Sequence, residues 1–446
     1  MKAMRRRAAT ASAAVLSALI ACPAAGVTRH VPAEYATINA ALSASTSGDS
    51  VLVAPGTYSQ YEVRVLHGDV SFTASSVAFL KAGVSLIGEG GRDVTRIDLA
   101  GQGVGFAVPV LAYNLGLGTI LVQGFTVTGA PVGSTGMWSR FMDRMVIRAC
   151  RLADLDGGTA QPGGLYSETV ALEIYDTEFR NCRIEGGPYR QAAILHAEGD
   201  AVLDGCLFAD CAGPDIVWLD ALGLDPAFGA LVKNCEFRNN AGLGARLGEF
   251  VDLTVEDCRF VGNHPSANTS ALVVFGGQGV VEPGPYHIRR NLFADNESAL
   301  GWGTIYWDRV GGVFEQNTLV GNGTNGLVMS YSDWQHVTVQ NNIFSSTVGS
   351  TAVWFRGSTS PVPVSACNDF WDNPGGNIAG YPPGATDIFV DPQFCDDANG
   401  DYTVADTSPC IPPNSGACGQ VGALGRGCTG LAVDPQTWGR LKAAFR

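Results

Sequence analysis

Positive charge is scarce in this 446-residue chain: 28 Lys and Arg stand against 42 Asp and Glu, and only 16% of residues are charged at all. Four of the basic residues (Lys2, Arg5, Arg6 and Arg7) sit at the very start, so the rest of the chain holds 24 against 42, a net charge of −18. An acidic surface repels nucleic acid and anionic membranes, which disfavours both as partners. Histidine is also rare; the six His are scattered and show no metal-ligand spacing. No Gly-x-Ser-x-Gly elbow and no phosphate loop occurs, which removes two large classes of catalyst from consideration. Nowhere after the start is there an apolar run of the roughly 20 residues that a membrane-spanning helix needs.

What the chain has in quantity is glycine, 57 residues, and an echo. A short phrase, Cys or Asn (once Thr) followed two residues later by Phe or Leu, recurs nine times: at Cys150/Leu152, Thr177/Phe179, Cys206/Phe208, Cys235/Phe237, Cys258/Phe260, Asn291/Phe293, Asn317/Leu319, Asn342/Phe344 and Asn368/Phe370. Successive first positions lie 23 to 33 residues apart. A fixed period of this size is the signature of a solenoid, in which each repeat buries its apolar face only against its neighbours. A second apolar segment follows each echo, as in Ile216-Val-Trp-Leu219, Thr304-Ile-Tyr-Trp307 and Ala352-Val-Trp-Phe355. Gly and Asn between the segments suit the left-handed backbone of sharp bends. Asn at equivalent places in stacked turns can also pass amide hydrogen bonds along the coil, which accounts for Asn291, Asn317, Asn342 and Asn368.

The two ends carry other signals. Residues 1–26 read as a signal peptide: a basic start, a largely apolar stretch from Ala8 to Ala21 and the small residues Ala24-Ala25-Gly26,. This predicts an extracytoplasmic protein, secreted or on the cell surface. In a rival reading Leu19-Ile20-Ala21-Cys22 is a lipobox and Cys22 the lipid-anchored first residue. Cys150, Cys206, Cys235 and Cys258 occupy the echo's own first position and predict an inward ladder of free thiols. Cys182 and Cys211 match each other one turn apart and either pair or stack. Cys395, Cys410, Cys418 and Cys428, with Cys367 as a further candidate, read as disulfide staples of undetermined connectivity.

Thr37-Ile-Asn-Ala-Ala-Leu-Ser-Ala44 predicts a short amphipathic helix, followed by Gly48-Asp-Ser-Val-Leu-Val-Ala-Pro-Gly-Thr-Tyr58. This opening resembles the N-terminal cap of right-handed parallel β-helix proteins of the pectin-lyase-like superfamily. The stretch Asp387-Ile-Phe-Val-Asp-Pro-Gln-Phe-Cys395, with Asn399-Gly-Asp-Tyr-Thr-Val404, resembles the last turn of bacterial secreted members. The expected fold is therefore all-β: a single-stranded right-handed parallel β-helix of about ten to twelve turns. Residues 27–60 would form the cap and first strand, 61–386 the turns, 387–430 a terminal turn and disulfide-stapled end, and 431–446 a short amphipathic tail. The superfamily includes polysaccharide lyases and hydrolases as well as proteins without known activity, so the fold does not settle function. The motif set of polygalacturonases is absent apart from Asp396-Asp397, and the Trp-Ile-Asp-His motif of pectate lyases is missing.

One constellation stands out. If the second segments stack in register, Trp218, Tyr306 and Trp354 share an outward column, with Asp220, Asp308 and Arg356 two residues further along the same face. Flat apolar rings beside charged groups suit a sugar's C–H face and its hydroxyls. Trp218 and Tyr306 would stand three turns apart, about 14 Å, too far for a catalytic pair but suited to a groove spanning several sugar units. A slip of one residue would turn the column inward. Trp302, Trp307, Tyr331 and Trp334 would line its edge or fill the core. Asp397, Asn399 and Asp401 have the spacing of half a calcium loop but lack the closing glutamate, which favours a tight turn with no bound ion. The expected function is glycan binding by a non-catalytic secreted or surface protein, with a polysaccharide or cell-surface glycan as partner. A polysaccharide lyase or glycoside hydrolase, and an adhesin-like spacer, are the alternatives.

Overall fold

The structure is a computed structural model that describes residues 26–429 apart from 68–70, 169, 187–190, 222–227, 265–269, 277–284, 298–301, 324, 331–336, 349–350 and 357–361. The leader with Cys22, the tail 431–446, Tyr331 and Trp334 lie outside the described residues. The chain winds as a parallel coil with three faces. A typical turn runs through Gln191–Ala197 on the first face, Ala201–Asp204 on the second and Leu207–Ala209 on the third. The third-face strands form one parallel sheet of 12. The first and second faces merge into a sheet of 23, because Val110–Gln123 and Met137–Arg148 run unbroken through the corner between them.

The echo lies on the third face, and its register is regular. Leu152, Phe179, Phe208, Phe237, Phe260, Phe293, Leu319, Phe344 and Phe370 pair in sequence from turn to turn. All are buried, and the rings from Phe179 to Phe293 stack with centroids 4.6–5.1 Å apart, close to the strand spacing of about 4.8 Å. The residue just before each echo position is left-handed, as at Asp176, Asn234 and Asn341 (φ 48–56°). A second left-handed set follows each third-face strand, at Asn181, Asp210, Asn239 and Asp295 (φ 50–58°). Short polar side chains tolerate this conformation best, which is why Asn and Asp recur at both corners.

Each corner then lays down an inward ladder. At the first, Cys206, Cys235 and Cys258 give way to Asn291, Asn317, Asn342 and Asn368, all buried. Each amide oxygen accepts from the preceding turn: Asn291 N and Nδ2 donate to Asn317 Oδ1 at 2.9 and 3.0 Å, and Asn317 N and Nδ2 to Asn342 Oδ1 at 2.9 and 3.1 Å. The run ends on a carboxylate, with Asn368 donating to Asp387 Oδ1 at 2.9 and 3.0 Å. At the other corner a parallel ladder passes from Cys182 and Cys211 to Asn240, Asn263, Asn296 and Asn322.

Three additions dress the coil. The helix Ile38–Ala44, N-capped by Thr37 Oγ1 accepting from Ala40 N at 3.1 Å, lays Ile38, Ala41 and Leu42 over the core at the N-terminal end. A hairpin, Glu62–Leu66 with Phe72–Ser76, joins Phe106–Ala107 and folds over the first turns of the first face. At the far end residues 387–388 join the last turn, with Ile388 bridging to Asp369 and Asp387 accepting from Asn368, and the chain then turns away. It folds back along the third face, where Phe394–Asp396, Asp401–Ala405 and Arg426–Cys428 form a small sheet. Val404, Ile411 and Val421 pack on Ile343, and Tyr402 packs on Leu292, Ala294 and Val320. The third face is apolar at these turns, and the fold-back is what covers it.

Two disulfides pin this segment, Cys367–Cys418 and Cys395–Cys428. Cys410 is not a staple: its buried thiol donates to Asp369 Oδ2 at 3.2 Å. Cys182 and Cys211 do not pair either. They are stacked ladder members whose thiols lie 3.5–3.8 Å from backbone carbonyls of Leu152, Arg180, Phe179 and Ala209. Burial pushes the Cys150 thiol up to about 11 and raises those of Cys206 and Cys235, so these ladder members stay protonated and unreactive.

Candidate functional site

The first face sets the geometry of the aromatic column. Trp218 pairs with Arg246, Arg246 with Val273, and Val273 with Tyr306; Tyr306 pairs with Val328 and Val328 with Trp354. Trp218 and Tyr306 are thus three turns apart and Tyr306 and Trp354 two. Their chain neighbours Val217, Leu219, Ile305, Trp307, Val353 and Phe355 are buried in the core, whereas the three rings are half-buried and turned outward. The column is not all aromatic, because Arg246, Val273 and Val328 separate the rings.

The same register runs back towards the N-terminus through Leu195, Tyr166, Trp138, Leu111 and Phe79. There the rings are covered. Phe72 and Phe106, from the hairpin sheet, pack edge-on against Trp138 with centroids 5.7 and 5.1 Å away, and Tyr166 stacks on it at 5.9 Å. The open part of the face begins where this small core ends, at Leu195.

Charged groups dress the open part. Trp218 Nε1 donates to Asp220 Oδ2 at 3.1 Å, fixing the plane of the indole. The Arg246 guanidinium lies 5.4 Å from the centre of the Trp218 ring and 3.5 Å from the buried Asp215 carboxylate. Arg356 lies 4.0 Å over Trp354 in the same way, an arrangement favoured by the ring's negative face. Asp308 pairs with Arg309 at 2.9 Å, yet its Oδ1 is buried without a hydrogen-bond partner. Burial raises the Asp308 carboxyl above its ordinary value, and Arg309 opposes the shift. Trp302 leans on Tyr306 with ring centroids 4.4 Å apart and is itself exposed. The site therefore offers apolar ring surface with donors and acceptors at its rims.

The remaining sequence candidates fall elsewhere. Trp307 fills the core, its Nε1 donating to Val310 O at 2.6 Å. Asp397 and Asn399 form a short 3-10 turn; Asn399 donates to Asp396 and Asp401 accepts from Thr403, so these side chains serve the local backbone fold. Among the described residues no cluster of three or more His, Cys, Asp or Glu is placed to hold a metal ion. Arg246 escaped the sequence reading, although its signal was present: it sits at the column position in Ala245-Arg-Leu247. The hairpin cover carries no periodic signal and was not legible.

Residues 116–293 match the family model for the right-handed β-helix region. The chain folds as an all-β parallel β-solenoid of about 11 turns. Comparison with curated protein sequences finds no significant match. Similar solved structures include the A-module of the mannuronan C-5 epimerase AlgE6 from Azotobacter vinelandii, at 13% identity and a TM-score of 0.30, covering 80% of this chain and 95% of that one. The AlgE4 A-module from the same organism gives 13% and 0.31, covering 82% and 97%. Superpositions this loose transfer no residue role. The two disulfides are consistent with an extracytoplasmic setting; among the described residues no helix is long and apolar enough to cross a membrane.

Proposed function

We propose that the open part of the first face binds an extended polysaccharide without cleaving it. The observation that carries this reading is the shared register of the half-buried rings Trp218, Tyr306 and Trp354 on the first face, spread over five turns or about 24 Å. A ligand lying along the coil axis would meet a ring at each end and the Trp302–Tyr306 pair between them. Asp220, Asp308, Arg246 and Arg356 stand at the ring edges to meet its hydroxyls. The carboxylates Asp220 and Asp308 are three turns apart, which separates them too widely for the acid and base of a hydrolase.

The test is a panel of neutral and anionic plant, algal and bacterial polysaccharides, scored for retention and for product release. Binding should fall at least ten-fold in Trp218→Ala and Trp354→Ala while the melting temperature changes little. Unchanged binding in both variants would sink the groove, and product release by the unaltered protein would replace binding with lyase or hydrolase chemistry.

A further inference from the structure

The two ends of the coil differ. At the N-terminal end the helix Ile38–Ala44 buries Ile38, Ala41 and Leu42 against the first turns. At the other end the internal phenylalanine stack runs through Phe344 and Phe370 to Phe389, whose ring lies 5.8 Å from that of Phe370. Phe389 continues the core, yet it is 46% exposed, and Val390 beside it is 42% exposed. The strand Ile378–Ala379 closes the first face and leaves one edge unpaired. Among the described residues nothing covers this end, because residues 391–428 fold back along the third face instead.

An open strand edge topped by an apolar ring invites a cover, and charge narrows what it is. From residue 357 to residue 425 the chain has no Lys, Arg or His, and beside this end Asp372 and Asp391 are exposed. A second copy meeting this end with its own would set aspartates against aspartates, which disfavours self-association. Residues 430–446 have the complementary character. They hold Arg440, Lys442 and Arg446 against a single acid, Asp434. Trp438, Leu441 and Phe445 have the i, i+3, i+7 spacing of one helical face,. The reach suffices: the Cα atoms of Cys428 and Cys395 are 5.9 Å apart, and the chain from Phe389 to Cys395 spans at most about 21 Å.

We propose that residues 430–446 are the C-terminal cap of the coil, with Trp438, Leu441 and Phe445 laid over Phe389 and Val390 and the basic side chains facing Asp372 and Asp391. This assignment stands apart from the glycan groove, which lies on a different surface.

Hydrogen exchange read by mass spectrometry on the full chain tests it. The amides of residues 378–390 should exchange at least ten-fold faster in the triple variant W438S/L441S/F445S. Exchange in 151–320 should stay unchanged, because these positions lie outside the coil. Reciprocally, Phe389→Ser should speed exchange within 430–446. In R440E/K442E the protection of 378–390 should fall and lose its dependence on salt. Unaltered protection of 378–390 in the triple variant overturns the proposal. So does protection that grows with protein concentration, since it would assign the end to a second copy.

Discussion

The N-terminal and C-terminal turns share one backbone plan and are finished differently. In the first turns the aromatic column of the first face lies beneath the Glu62–Ser76 hairpin and serves as core. Further on the rings of the same column are only half-buried, and a second cover lies on the third face, where the fold-back packs on Leu292, Val320 and Ile343. Inside, the early corners are lined with thiols and the later ones with amides. A coil that repeats its geometry every turn can thus decide, turn by turn, which surface becomes interior and which is left for a ligand. Register places a side chain; what folds over it decides its role.

The largest contrast should appear between two tryptophans of that column. Trp138 is buried among Tyr113, Tyr166, Phe72 and Phe106. Truncating such a residue costs about 3–5 kcal/mol, so Trp138→Ala should lower the denaturation midpoint strongly and free the hairpin to hydrogen exchange. Trp218→Ala removes a half-buried ring and one hydrogen bond, a loss of about 1 kcal/mol. Equal destabilisation by the two would show that the open half of the face is as much core as the covered half.

Much of this was legible in the sequence because stacking repeats a chemical demand at a fixed interval. The Phe and Leu of the echo, the amides from Asn291 to Asn368 and the register of Trp218 with Tyr306 and Trp354 all follow from that interval. The second amide ladder was half visible, since Cys182 and Cys211 already marked the position that Asn240 and Asn263 occupy later. The features that were missed are those that happen once. The hairpin and the fold-back of 391–428 interrupt the period rather than obeying it. Cys410 looked like a staple because cysteine pairing depends on where one irregular segment crosses another.

The fold-back should respond to pH through a single group. Asp369 projects from the third face, is sealed under Cys410, and has its carboxyl pushed up to about 6 chiefly by burial. The folded protein therefore binds this proton more tightly than the unfolded chain does. Its contribution is fully present below the ordinary carboxyl value near 4 and fades as pH rises through about 6. At 1.36 kcal/mol per unit the change is on the order of 2–3 kcal/mol. Exchange protection of 401–405 should accordingly fall between pH 4 and pH 7 (about the range those two values define), whereas the hairpin 62–76 should show no such trend. Asp369→Asn should flatten the curve at its acid-side level. A fold-back insensitive to pH in the unaltered protein would contradict this placement of Asp369.

The finest contrast concerns the two ladders. In the amide half, Asn317 Oδ1 accepts from Asn291 N and Nδ2, and its own Nδ2 donates to Ile288 O at 2.8 Å and to Asn342 Oδ1. Asn317→Ala would leave a buried N–H and a buried carbonyl without partners, at about 1–3 kcal/mol for each group. In the thiol half, Cys235 makes only weak contacts, its sulfur 3.2 Å from Lys233 O and 3.6 Å from Leu203 O. Cys235→Ala removes one sulfur atom from an apolar stack and should cost about 1 kcal/mol. Asn317→Cys discriminates further, since a thiol fits the space but offers Asn291 N–H only a weak acceptor. It should cost nearly as much as the alanine, measured as faster exchange of the Asn291 and Thr318 amides. If the cysteine variant instead keeps full protection, the two ladders are interchangeable packing, and the change from thiol to amide between Cys258 and Asn291 has no energetic meaning.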